Sequence, residues 1–76
     1  MKASAQEIKK LIVQISQVDE SKITDTALLK EDLQMDSLNI ADLMASLEED
    51  YEIEVVQEEA MKIRNFGQLM DYISRH

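Results

Sequence analysis

The sequence predicts an all-α fold: a small bundle of three longer helices and one short one, with a long loop between helices 1 and 2. Composition is the first reason. Leu, Ile, Met, Glu, Lys and Ala dominate, mostly good helix formers. One glycine and no proline leave little turn chemistry for joining short strands. The second reason is periodicity, since apolar residues recur at three- and four-residue steps in three separate segments. The third is that each of these segments opens on polar residues able to cap a helix.

Helix 1 is expected to start at Ser4. Ser4 and Glu7 make an S-x-x-E capping box, in which each side chain satisfies a free backbone N–H of the other. Ile8, Leu11, Ile12, Ile15 and Val18 follow on one apolar face, with Lys9, Lys10, Gln14 and Gln17 off it. Residues 18–36, VDESKITDTALLKEDLQMD, lose that period. A structureless connection of this length is unusual, and Ile23, Leu28, Leu29 and Leu33 are costly to leave in water. The segment reads as a long loop packed on the core, with one helical turn near Thr26–Leu29.

Helix 2 is expected to begin at Asp36 or Ser37. Ile40, Leu43, Met44, Leu47 and Tyr51 make its inward face. Asn39, Asp42, Ser46 and Glu49 make its outward face, with Glu48 at the flank. DYEIEVV alternates like a strand, but a lone strand has nothing to pair with. It reads as an extended link whose apolar residues cover the core. QEEAMKI is a short third helix, with acids early and Lys62 late, in agreement with the helix dipole. Asn65 and Gln68 make a second N-cap pairing. Phe66, Leu69, Met70 and Ile73 form the stripe of the last helix, which ends at Arg75 and His76. Residues 1–76 are expected to be one domain. A chain of this size buries only about 60 % of its unfolded surface, so its core must be efficient.

Charge narrows the partners. From Glu31 to Met61 there are eleven acids and no Lys or Arg, and the net charge of the chain is −8. Nucleic acid is excluded as an expected partner, because binding it needs bases to neutralise phosphates. A partner with a basic patch is favoured, drawn by electrostatic steering; the plain alternative is that the acids give solubility. Without cysteine there is no disulfide, no thiolate chemistry and no Cys-based metal site. No apolar run approaches the ~20 residues of a membrane span, and MKASAQEIKK lacks the apolar stretch of a signal peptide. No membrane insertion and a cytoplasmic location are expected.

The candidate chemistry is sparse. A Ser-His-Asp triad needs a base beside the serine, and the only histidine is His76, at the end of the chain. There is no glycine-rich phosphate loop and no aromatic platform for bases. Gly67, the only glycine, is not surrounded by the ligand pattern of an EF-hand, so no defined metal site is expected, which leaves open loose divalent-ion binding by the clustered carboxylates. Met35, Met44, Met61 and Met70 read as gap-filling core residues. Ser37 remains. Asp36 and Ser37 are both good helix-start residues, which is the plain reading. A helix N-terminus is also an anion site, where a serine-linked phosphate is favoured. The acidic face that follows can dock an enzyme acting on that serine.

With these residues in place, the chain resembles the acyl carrier protein family. The resemblance rests on Asp36-Ser37-Leu38 at the start of the second helix of a small acidic bundle, preceded by Leu33 and followed by NIADLMASLEEDYEIEV. The long ITDTALLKEDL loop and the closing FGQLMDYI stand in the family's order. The resemblance implies a non-catalytic carrier whose Ser37 hydroxyl is esterified by 4′-phosphopantetheine, transferred from coenzyme A by a phosphopantetheinyl transferase. Acyl groups would ride as thioesters on the arm's thiol to enzymes of fatty-acid, specialised lipid or polyketide synthesis. By position it implies that Asp36 orients the phosphate region. It implies that Leu38, Ala41 and Ala45 make apolar partner contacts, and that Asp42, Glu48 and Glu49 meet partner Lys and Arg. A shielded acyl chain between the helices would be lined by Met44, Leu47, Ile63 and Phe66. A monomer is expected.

Two positions depart from the family pattern. Gln34 stands where glycine is usual, two residues before Asp36, and Asn39 stands where an acid is common. If position 34 needs positive φ, a side chain there costs roughly 1 kcal/mol or more. The rival reading is an unmodified carrier-like helical adaptor, which would share the acidic face and the bundle without needing Ser37.

Overall fold

The computed structural model describes residues 4–75. His76, the lone histidine, lies outside them. The described elements are helix α1 (Ala5–Ser16), a 3-10 turn (Glu20–Lys22), helix α2 (Ser37–Asp50), helix α3 (Gln57–Ala60) and helix α4 (Phe66–Arg75). Among the described residues there is no strand, only an isolated antiparallel bridge between Leu28 and Asn65. The all-α bundle is therefore as expected, with a radius of gyration of 11.0 Å. No helix among the described residues is long and apolar enough to cross a membrane.

The start signals act as the sequence indicates. Ser4 Oγ accepts from the Glu7 N–H at 3.2 Å, and Glu7 Oε1 accepts from the Ser4 N–H at 3.0 Å. Donation from Ser4, by its backbone N–H first and its hydroxyl second, holds the Glu7 carboxyl below its ordinary value. At the other end of the chain, Asn65 Oδ1 accepts from the Gln68 N–H at 2.8 Å, while Gln68 Oε1 accepts from the N–H groups of Arg64 and Asn65.

One core cluster joins the elements. It takes Ile8 and Ile12 from α1, Leu43, Met44 and Leu47 from α2, and Phe66, Leu69 and Ile73 from α4. Leu11, Ile15, Val18, Ile40 and Tyr51 are half-buried against it. The connecting segments are part of the core as well. The long loop buries Ile23, Ala27, Leu29, Leu33 and Met35, and the link after α2 buries Ile53. Fully burying one such side chain stabilises by about 1.5–3 kcal/mol, which explains why so long a connection stays ordered.

Four details differ from the sequence reading. The helical turn of the loop falls at Glu20–Lys22 and not near Thr26–Leu29, because Asp19 caps it by accepting from the Ser21 N–H at 3.0 Å. Leu28, expected to pack, is 36 % exposed beside its bridge to Asn65. The third helix ends at Ala60, so Met61 to Ile63 fall outside it. Met61, expected in the core, is 74 % exposed.

Gly67 owes its place to a close approach. Its N–H donates to the Asp25 carbonyl at 2.8 Å, and the Phe66 N–H donates to Ala27 at 3.0 Å. The loop thus satisfies free donors at the start of α4. A Cβ at position 67 would lie 2.8 Å from the Asp25 carbonyl oxygen. Left-handed backbone occurs instead at Gln17 (φ 60°), Gln34 (φ 54°) and Glu52 (φ 54°).

Candidate functional site

Ser37 is the first residue of α2, and Asp36 is its N-cap. Of the two expected starts, the cap is Asp36. Its Oδ1 accepts from the Asn39 N–H at 2.8 Å, and Asn39 Oδ1 accepts from the Asp36 N–H at 3.1 Å. This reciprocal box uses Asp36, not Ser37, to satisfy the helix start. The capping reading of Ser37 is thereby removed. Ser37 is exposed, and its hydroxyl makes no hydrogen bond to another described residue.

Two segments fix the position of this serine. Behind it, Met35 is buried and its N–H donates to the Leu29 carbonyl at 2.9 Å. Ahead of it, Leu43, Met44 and Leu47 bury the inner face of α2. The chain therefore leaves the core at Gln34, turns through a left-handed residue, anchors Met35, and presents Asp36 and Ser37 outward. Asn39 has a second role that its loss of charge had hidden. The D-x-x-N spacing repeats that of Ser4 and Glu7, and reading it as a capping box would have found it.

The electrostatics of α2 are uneven. Its first turn holds no acid and its last turn no base. Leu38 is 75 % exposed, and Ala41, Asp42, Ala45, Glu48 and Glu49 are exposed with it. The structure thus puts these six residues on the outside of one helix. It places Met44, Leu47 and Phe66 in the core cluster. Ile63 is half-buried and lines a surface cavity of about 520 Å3 together with Ile40 of α2.

A cofactor fit can be judged on these observations. The free hydroxyl of Ser37 points from an exposed helix start, beneath the positive end of a helix of 14 residues. Its own N–H and that of Leu38 lie in the first turn, where N–H groups lack intrahelical partners. A phosphodiester on Ser37 fits these backbone N–H donors.

The model of the phosphopantetheine attachment site family matches residues 6–73. The chain belongs to that family. Two curated acyl carrier proteins of Brachyspira hyodysenteriae, one of them from strain ATCC 49526 / WA1, are each 44 % identical over 71 residues, covering 92 % of this chain and 91 % of theirs. A solved structure described as an acyl carrier protein from Mycobacterium tuberculosis superposes with a TM-score of 0.88 at 27 % identity, covering 96 % of this chain and 97 % of that one. The acyl carrier family, its helical fold and its covalent 4′-phosphopantetheine group are the frame for this chain.

Buried Tyr72 was missed in the sequence. Its hydroxyl accepts from the Val56 N–H at 3.0 Å and donates to the Glu54 carbonyl at 3.1 Å. It fastens the link after α2 to α4, so it acts through the scaffold and not at Ser37.

Proposed function

We propose that Ser37 is the residue esterified by 4′-phosphopantetheine, and that the chain carries acyl intermediates without catalysing their chemistry. The observation that carries this reading is the exposed hydroxyl of Ser37, bonded to no described residue, at a helix start already capped by Asp36 and Asn39. When bound, the arm supplies a thiol that forms thioesters with acyl groups. The chain's own residues hold and present it. Ser37 provides the oxygen. Backbone N–H groups at the start of α2 and its dipole stabilise the phosphate charge. Asp36 orients that region by fixing the start of α2 through its reciprocal bonds with Asn39.

Docking falls to the outer face of α2. Leu38, Ala41 and Ala45 offer small apolar contacts. Asp42, Glu48 and Glu49 offer charges to basic patches on a phosphopantetheinyl transferase and on acyl-processing enzymes. Each exposed pair contributes roughly 0–1 kcal/mol. Together they raise association rates and orient the encounter while leaving it reversible, which suits a shuttle with several partners. The arm supplies high local substrate concentration. The pathway is fatty-acid, specialised lipid or polyketide synthesis, with residues 1–76 acting as one monomeric carrier domain in the cytoplasm.

The test is an intact mass after incubation with coenzyme A and a broad-specificity transferase. One added phosphopantetheine on the wild type and none on Ser37→Ala is the expected result. Addition to both proteins would move the attachment site. Addition to neither, across several transferases, would favour the unmodified adaptor.

A further inference from the structure

The cavity beside α2 has a mixed lining. Leu28, Ile40, Met61 and Ile63 supply apolar surface. Lys30, Arg64 and Glu31 supply charge. Its volume of about 520 Å3 falls within the roughly 300–1,000 Å3 usual for small-molecule sites.

Three features point to one occupant. First, Ile40 follows Ser37 by three residues, about 4.5 Å along the helix axis and on a neighbouring part of the surface. A group tethered at Ser37 therefore starts beside this cavity. Second, the two cations come from segments locked side by side. The Leu29 N–H donates to the Arg64 carbonyl at 2.9 Å, and Leu28 bridges Asn65. Lys30 and Arg64 thus converge on one space. Third, the charge is out of keeping with the surroundings. Residues 31–61 contain eleven acids and no base, in a chain of net charge −8. Here two cations face one acid.

Apolar wall and paired cations together match a chain that is apolar along its length and anionic at its far end. A guanidinium fork suits a carboxylate, and an ammonium adds a point charge. We propose that this cavity takes acyl chains ending in a carboxylate, with Lys30 and Arg64 receiving that carboxylate. The proposal rests on Ser37 as the attachment residue. A neutral chain meets the same apolar wall but leaves both cations in water.

The experiment compares three loaded forms, the bare arm, hexanoyl and adipoyl, each verified by intact mass. Amide correlation spectra are recorded for each, with carbon labelling at the adipoyl carboxyl. The adipoyl form shifts the amides of Lys30 and Arg64 beyond the hexanoyl form, and its carboxyl titrates lower than in free adipoyl pantetheine. Lys30→Gln with Arg64→Gln, loaded to the same extent, loses both effects. These substitutions leave the Arg64 backbone bonds to Leu29 and Gln68 in place, so the fold is retained. A second arm titrates soluble adipoyl and hexanoyl pantetheine onto the unloaded chain. Adipoyl binds at least about tenfold tighter, the scale of one charge-assisted hydrogen bond. Identical behaviour of the two acyl groups overturns the proposal. So does a full shift of Lys30 and Arg64 in the bare-arm form, which would assign the cations to the arm's phosphate. Failure to load Ser37 refutes the attachment reading, while the soluble titration still decides the cavity.

Discussion

Replacing Gln34 by glycine should stabilise this protein. Gln34 has φ 54°, in the left-handed region, where a Cβ crowds the following carbonyl at a cost of roughly 1–2 kcal/mol. Its side chain is exposed, so its loss forfeits no core packing. Glycine removes the clash but gives the unfolded chain more freedom, which offsets about 0.4–1 kcal/mol. The midpoints of these ranges leave a net gain of about 0.8 kcal/mol, or about 3–6 °C in Tm for a domain of this size. Urea unfolding followed by far-UV circular dichroism gives the free energy directly. Gln34→Ala is the control: it shortens the side chain but keeps the Cβ, so it should not stabilise. A Gln34→Gly midpoint at or below that of the wild type would refute the strain account. Equal stabilisation by alanine would also refute it, since the effect would then belong to the side chain and not to φ.

Other substitutions test the supports around the site. Gly67→Ala should destabilise by about 1–3 kcal/mol despite alanine's better helix propensity, because its Cβ would meet the Asp25 carbonyl at 2.8 Å; thermal unfolding measures it. Tyr72→Phe should cost about 1–2 kcal/mol by leaving the Val56 N–H and Glu54 carbonyl without their shared hydroxyl; hydrogen exchange at Val56 should accelerate alongside. Glu7 has a folded pKa below its ordinary 4.5, so its contribution is present above that pH and fades as pH falls through the depressed value. Glu7→Gln can still accept the Ser4 N–H and cannot titrate, so a melting series from neutral pH into acid should fall less steeply in the variant than in the wild type.

Helices α1, α2 and α4 were legible because capping and period agree at each. Ser4 with Glu7, and Asn65 with Gln68, mark starts, and the apolar stripes begin within a turn. The 3-10 turn at Glu20–Lys22 was not legible by period, since it buries no side chain and depends on the local Asp19 cap. The left-handed residues are hidden for a similar reason. Gln and Glu carry no preference for that region, and only the comparison with a family glycine drew attention to Gln34. Tyr72 escaped because its partners lie 16 and 18 residues away, beyond any local pattern. At the site, the place of Ser37 could be read from the sequence. The cavity could not, since it joins Lys30, Ile40 and Arg64 from three separate segments.

The charges of α2 separate what stabilises a helix from what uses it. Acids near an N-terminus and bases near a C-terminus each stabilise by about 0.3–1 kcal/mol. Each of the other helices follows this rule at one end: Glu7 stands in the first turn of α1, Glu58 and Glu59 in that of α3, and Arg75 in the last turn of α4. Helix α2 has an acid at its cap, Asp36, and departs from the rule at its other end. Past the cap Asp36 its first turn has no acid, and its end carries Glu48, Glu49 and Asp50 with no base. A helix arranged for its own stability would carry a base at that end. A base there, however, would repel a cationic partner. The cost falls on the helix that starts at Ser37, so the acids at its end favour docking over solubility as their reason. Solubility would be served equally by the same acids placed elsewhere on the surface.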